Sequence, residues 1–362
     1  MDTLLESKGA SVEFQADKES TGAKIHCFDR DAAVVLEQVA GMLQAPSFFG
    51  SRVEFVRGQM LADLKQIEDQ PIQLALRSFQ TVLFEGGSFG RFPSEASLKS
   101  LGDKDFKGFA KSWFTPEQAV IAVSSPLGID EAKNLLTKAL GGWGKGTGPA
   151  PARAAHKAWA KPGVYLRSKA SLTQATVLLG LPWVKEDDPD SVALSAAMHT
   201  LGESGLNSRI FNSVRTREGL AYAAGSFHLK AISTDGANMA YALTKAENAG
   251  RCVQLLKAEI ERLVKDGLTQ QELDATKRAL GQNAVFDQVT TADILDRAAK
   301  LTIFGRPADT DAKRMEKLQA LTVGDVQAAV KRHLKGEDLR VFVLADRKSA
   351  RLEQLGPVTE VK

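Results

Sequence analysis

The stretch from Ser204 to Tyr222, SGLNSRIFNSVRTREGLAY, constrains the fold and use of this chain more than any other. Asn207 and Ser208 are side chains that cap helix N-termini, and Ile210, Phe211 and Val214 then fall at helical spacing. Gly219 is placed to end that helix, and Tyr222 to Lys230 reads as a strand. The pattern predicts a short amphipathic helix and a strand joined by a glycine corner. Arg215 stands near the helix end and Tyr222 at the strand start, so a guanidinium and a phenol arise from two elements fixed against each other. Such a pair can hold a carbonyl or carboxylate and donate to a developing oxyanion. At this spacing an Arg and a Tyr also suit a surface charge and a half-buried ring.

Around the corner the chain reads as a duplicated α+β pattern. In the first half Ala10 to Ala16 and Ala23 to Phe28 look like paired strands, followed by a helix with Val35, Val39, Met42 and Leu43 on one face. Helices are expected over roughly Arg52–Phe84 and Asp103–Phe114, then a strand Ala119–Val123 and a helix near Asp130–Leu140. The second half repeats the order with strands Tyr222–Lys230 and Ala237–Thr244, and a helix from about Asn248 to a stop at Gly267. Thr269 and Glu272 form a capping box, and a helix Val323–His333 and a strand Leu339–Leu344 complete the repeat. The words Phe89-Gly90-Arg91 and Phe304-Gly305-Arg306 recur in the same order as two L-x-x-L pairs, Leu98/Leu101 and Leu318/Leu321. A Gly/Pro-rich run between the halves reads as a linker. The expected organisation is a first domain over 1–143, a linker over 144–160 and a second domain over 161–362.

The halves are unequal. Val164–Trp183 supplies apparent strands and Ser191–Leu201 a helix ahead of the corner, and the first half has no such opening. About sixty residues are expected to be missing from its start.

Composition excludes several functions. At 362 residues, with 43% hydrophobic and 25% charged residues, the chain suits two globular cores. A net charge of +3 with scattered Lys and Arg argues against nucleic acid as a partner. No apolar run reaches a membrane span of roughly eighteen residues. Charged residues throughout the first thirty positions of the chain as written set the expectation of no signal peptide within them. Cys27 and Cys252 form no metal spacing, and Cys252 repeats with Leu256, Ile260 and Leu263 on a core face.

The pattern S-x-L-N-S-R-I-F-N-x-V-R-T-R-E-G-L-A-Y closely resembles the Arg/Tyr segment of the insulinase, pitrilysin and mitochondrial processing peptidase family of zinc metallopeptidases. Arg215 and Tyr222 fall on its two motif positions, and Arg217 between them inherits no role. The resemblance implies two homologous α+β domains, each a mixed, largely antiparallel sheet with helices packed on one face, the first truncated. It also implies that the pair grips the backbone of a peptide substrate at a zinc site held by another domain. The family's zinc helix, H-x-x-E-H, is absent. None of His26, His156, His199, His228 and His333 has a second His three or four residues on. In Val56-Arg-Gly-Gln-Met-Leu-Ala-Asp-Leu64, which resembles the helix of the third ligand, the matching position is Asp63 rather than Glu.

The expectation is therefore a non-catalytic subunit without metal of its own. It would pair as a heterodimer with a zinc-bearing homologue, Arg215 binding a substrate carbonyl and Tyr222 donating to the oxyanion. A purely structural subunit of peptidase-like fold is the alternative. If an opening segment precedes Met1, as in exported two-subunit bacterial relatives, the periplasm is the expected compartment. A third reading comes from Gly86-Gly-Ser-Phe-Gly90, which matches the G-x-S-x-G elbow of serine hydrolases with Ser88 as nucleophile. It requires a strand at Thr81–Phe84 and a helix straight after, where Arg91-Phe92-Pro93 stands instead. His228 reads as a structural histidine, and His26 as a polar surface residue.

Overall fold

The computed structural model describes residues 2–146, 160–229, 231–232, 235–286 and 288–361. Most of the expected linker, His156 and Lys230 lie outside these residues. The chain begins with α1 (Asp2–Ser7) and the antiparallel hairpin of β1 (Ser11–Ala16) and β2 (Thr21–His26). Next come α2 (Ala32–Gln44), α3 (Gly50–Glu68), α4 (Pro71–Leu83), α5 (Glu95–Ser100), α6 (Asp103–Trp113) and α7 (Ile129–Leu140). The second half holds β3 (Gly163–Ser168), β4 (Gln174–Trp183), α8 (Ser191–Met198), the short α9 (Arg209–Phe211), β5 (Ala221–Leu229) and β6 (Gly236–Lys245). After them run α10 (Ala249–Asp266), α11 (Gln270–Ala284), α12 (Thr291–Ile303), α13 (Thr310–Ala320) and α14 (Val323–His333). β7 (Arg340–Ala345), α15 (Arg347–Ala350) and β8 (Val358–Glu360) end it. The helix boundaries follow local chemistry. Thr269, Thr290 and Thr322 each open a helix with a capping box closed by Glu272, Asp293 and Asp325. Gly267, at φ +69°, ends α10.

The chain is α+β, and its two compact units are not contiguous halves. One gathers 1–64, 93–153 and 286–310, and the other 65–92, 154–285 and 311–362. The difference from a boundary at 144–160 lies in two helices. α4, from the first half, clusters with the sheet of the second half, and α12, from the second half, clusters with the first-half hairpin. The repeated F-G-R words follow these same two helices.

In the second unit six strands lie in the order β5-β6-β4-β7-β3-β8, antiparallel except where β3 runs parallel to β7 and β8. One face packs against α8, α10 and α14, with Leu179, Leu181, Val341 and Val343 set against Leu194, Leu256, Ile260 and Val330. The opposite face is covered as well. Leu178, Met239, Phe342 and Leu344 pack against Leu74, Phe79 and Leu83 of α4 and against Phe84. Phe79 stacks on Phe342 at 5.5 Å between centroids. This second layer adds to the expected one-sided helix layer, and it explains why the run ATVLLGL in β4 is apolar without alternation. Gly180 admits the close approach of α4, since a Cβ there would stand 2.6 Å from the Phe79 ring.

The first unit is built differently. Its only strands among the described residues are β1 and β2, exposed along nearly their whole length. The strand expected at Ala119–Val123 does not form, and the segment is irregular with Ile121 and Val123 exposed. The reason is a lack of partners. In the second unit the equivalent β7 lies between β3 and β4, and the first half carries no counterpart of those two strands. Sixteen of the twenty exposed large apolar side chains among the described residues belong to this smaller unit, Phe49, Phe55, Phe109 and Ile129 among them.

Phe79 is fully buried. Phe79→Ala is expected to lower unfolding free energy by about 3–5 kcal/mol, the range for deleting a core phenylalanine. Urea denaturation checks this, and a midpoint equal to wild type would mean that α4 does not pack on the sheet.

Candidate functional site

The Arg/Tyr corner is assembled by a π-helical turn, a capped helix and a bulged strand. α8 runs into the π-helical turn His199–Glu203, and a 3-10 turn Gly205–Asn207 leads to Ser208. The Ser208 hydroxyl, fully buried, accepts from the Phe211 N–H at 3.2 Å and so caps α9. α9 widens at once into a second π-helical turn, Asn212–Arg217, which carries Arg215. Gly219 then takes φ +66°, and the N–H groups of Gly219 and Leu220 close the turn on the carbonyls of Arg215 and Val214. β5 opens with a bulge between Ala221 and Ala223, which leaves Tyr222 outside the regular pairing. Two π turns within twenty residues are unusual, and such turns often mark functional segments.

The structure brings the Arg215 guanidinium to the Tyr222 backbone, where it donates to the carbonyl oxygen and lies 5.3 Å from the Phe211 ring centroid. Arg215 is exposed, and Tyr222 is 51% exposed. The Tyr222 hydroxyl bonds to no described residue, and Arg215 has no carboxylate partner among them. The neighbouring arginines differ. Arg209, 8% exposed, makes a bidentate pair with Glu272 at 2.7 and 2.6 Å and also donates to the Gly267 carbonyl at 2.8 Å. Arg217 pairs at 3.1 Å with the buried Glu259, which also takes Arg262. Of the three arginines only Arg215 keeps its charge available. Sequence reasoning missed the Arg209 anchor, although both ends were visible in it: Arg209 lies in the motif, and Glu272 was already the capping-box residue. Burial pushes the Glu272 carboxyl up, but hydrogen bonds from Arg209 and the Thr269 backbone, with the Arg209 charge, outweigh it and hold it low.

The four described histidines form no metal-binding group with one another. His26 is exposed on β2, while His199 is buried against Thr276 at 3.3 Å, where desolvation lowers its pKa against the opposing pull of Glu203. His228 pairs with Glu203 at 2.7 Å and lies about 20 Å along β5 from Tyr222. Asp63 is exposed on α3. Among the described residues one group, Asp188, Asp190 and His333, has ligand atoms within 4.8 Å of one another. Its geometry is that of an ion-pair tie. His333 donates to Asp190 at 2.8 Å, Arg332 donates to the same carboxylate, and Asp188 accepts the Asp190 N–H at 2.7 Å. With a guanidinium on its central carboxylate, the group is a poor cation site. Among the described residues no two histidines and a carboxylate come together as H-x-x-E-H requires.

The serine-hydrolase reading is corrected by the backbone. Thr81–Phe84 is the end of a helix rather than a strand, and Ser88 lies in a 3-10 turn followed by extended chain. Gly90 is needed there for packing, because a Cβ would come within 2.3 Å of the Phe84 carbonyl oxygen.

A family model described as the peptidase M16 inactive domain matches residues 100–280, a span that includes the corner through Tyr222. The chain belongs to the peptidase M16 family. Among M16 relatives, a protein named non-peptidase homolog YmxG from Helicobacter pylori is 24% identical, covering 95% of this chain and 79% of that protein. A protein of Bacillus subtilis named as an uncharacterised zinc protease YmxG is 23% identical over 81% of this chain and 70% of its own length. The solved structure of a peptidase M16 inactive domain from Pseudomonas fluorescens superposes with a TM-score of 0.85 at 24% identity, covering 95% of this chain and 82% of that one. A protease structure from Helicobacter pylori gives 0.83 at 18% identity, covering 95% and 84%. These structural likenesses establish the M16 fold. No helix among the described residues is long and apolar enough to cross a membrane.

The Arg209–Glu272 pair generates a prediction. Glu272→Gln leaves the buried guanidinium without its counter-charge and is expected to cost about 3 kcal/mol at pH 7. The folded carboxyl titrates below the unfolded one, so its stabilisation is full above about pH 4.3 and is lost as pH falls through the folded value. Urea titrations at stepped pH should show the gap between the two proteins narrowing as pH falls below about 4.3. A gap independent of pH would mean that the charge of Glu272 is not what stabilises the corner.

Proposed function

We propose that this chain is a non-catalytic, substrate-gripping subunit of a zinc-dependent peptidase, acting with a homologous subunit that bears H-x-x-E-H. Arg215 donates to a carbonyl of an extended peptide, and Tyr222 donates to the oxyanion that forms during hydrolysis. The metal, the activating carboxylate and the water belong to the partner. One observation carries the reading. Within the M16 corner, Arg209 and Arg217 are neutralised by carboxylates, whereas Arg215 and the Tyr222 hydroxyl stand exposed and uncommitted to any side-chain hydrogen-bond partner. A corner serving assembly alone has no use for a guanidinium and a phenol set apart in this way. The name of the Helicobacter pylori relative, non-peptidase homolog, agrees with a chain that does not cleave by itself.

Purified alone, the chain is expected to hold no stoichiometric zinc by metal analysis and to show no chelator-sensitive cleavage of a fluorogenic peptide. Both appearing together would sink the proposal.

Binding is the second test. Fluorescence anisotropy with labelled, carboxymethylated α-lactalbumin, an unfolded chain, should show Arg215→Ala binding more weakly by about tenfold to a hundredfold, equivalent to losing a charge-assisted hydrogen bond of roughly 1.5–3 kcal/mol. In the complex co-purified with its zinc-bearing partner, Tyr222→Phe is expected to lower kcat by about 10²–10³, the usual loss for one oxyanion donor. Arg215→Ala acts there mainly by raising KM. Normal cleavage by a complex in which both residues are replaced would leave a purely structural subunit as the reading.

A further inference from the structure

The corner that holds Arg215 and Tyr222 is closed at its base by residues on either side of the motif. The π-helical turn His199–Glu203 lies against β5 backbone to backbone. A Cβ at Gly202 would come within 2.3 Å of the Ser226 nitrogen, and one at Gly225 within 2.8 Å of the Gly202 carbonyl oxygen. Directly beyond this contact Glu203 Oε1 meets His228 Nδ1 at 2.7 Å, with both side chains about four-fifths buried. Trp183 of β4 lies nearly parallel to the imidazole, 6.1 Å between centroids and 26° between planes. Glu203 and His228 are 25 residues apart, and the segment between them contains the capped helix, Arg215, Gly219 and Tyr222.

We infer that Glu203 and His228 form a clasp that fixes the register of the Arg/Tyr corner, and that both are positioning residues for the peptide site. The inference rests on the function proposed above. Its physical basis is the π turn. A π-helical turn holds one residue more than an α turn in the same place, and it persists only where its surroundings over-determine it. Relaxing to α geometry would slip the following chain by one residue, which turns side chains by about 100° around the helix axis. Glu203 is the last residue of that turn, so its bond to His228 blocks the slip where it would begin. Tyr222 cannot follow such a slip, because β5 is held by β6 from Ala221 to Leu229. Without the clasp, Arg215 would move relative to Tyr222 although neither residue had changed.

The test uses the full chain and the same labelled lactalbumin probe. Glu203→Ala is expected to weaken binding about tenfold. His228→Phe, which keeps a flat aromatic ring against Trp183 and removes the hydrogen-bonding nitrogens, should give the same loss. The double variant should be no worse than either single one, and Glu203→Gln, which still accepts from the imidazole N–H, should recover binding to within about twofold. A spectroscopic readout runs beside this. With 3-fluorotyrosine incorporated, the fluorine resonance of Tyr222, assigned through Tyr222→Phe, should shift in Glu203→Ala and His228→Phe and return in Glu203→Gln, with Tyr165 unchanged. Folded Glu203→Ala and His228→Phe proteins that bind like wild type, or an unmoved Tyr222 resonance, overturn the clasp, while weak binding by Arg215→Ala keeps the peptide site itself in place. If Arg215→Ala also binds like wild type, the peptide-gripping function fails, and the positioning role fails with it.

Discussion

The second unit depends on a sheet covered on both faces. β4 can be apolar at nearly every position only because α10 and α14 lie on one side and α4 on the other. Each face then carries its own core in a two-sided apolar interior, with Phe79 on Phe342 on one side and Leu179 and Val343 against the helices on the other. That interior makes the sheet rigid enough for its edge strand to act as a fixed reference. Among the described residues β5 pairs only with β6, yet the bulged start that carries Tyr222 is held in register against Thr244 and Leu243.

The corner is mounted on this reference by contacts of different kinds. Ser208 caps the helix, Arg209 ties it to the α10–α11 junction through Glu272 and Gly267, and Arg217 reaches Glu259 of α10. The glycines at 202 and 225 let backbone lie on backbone, which no side chain would allow. Arg209 and Arg217 reach carboxylates on α11 and α10, whereas Arg215, which lies between them in the chain, has none among the described residues. That asymmetry separates Arg215 from its neighbours, and it is the physical content behind a motif otherwise known by resemblance.

The first unit shows what happens when the same kind of sequence lacks its layer. The segment 119–125 has the composition of a strand, as β7 does, but it has no strand beside it and stays irregular. A strand is stabilised by cross-strand neighbours more than by propensity. Most of the large apolar side chains exposed among the described residues accordingly lie in that unit.

Much of the architecture was legible in the sequence alone. Helix ends at Gly267 and Gly219, the Thr269–Glu272 box, the hairpin near residues 11–26 and the order of the second-half elements follow from local chemistry, acting over a few residues. The absence of paired metal-binding histidines was equally plain, since ligand spacing on a helix is written along the chain. The site residues Arg215 and Tyr222 could be named, but not their surroundings. Only tertiary structure decided that α4 crosses to the second-half sheet, that Ser88 follows a helix and not a strand, and that Arg209 and Arg217 are engaged while Arg215 is not. The partners of those residues lie 42 to 63 positions away, as Glu259 and Glu272 do, and the clasp of Glu203 with His228 spans 25. Contacts at such separations are set by how whole layers pack, and local sequence carries no signal for them.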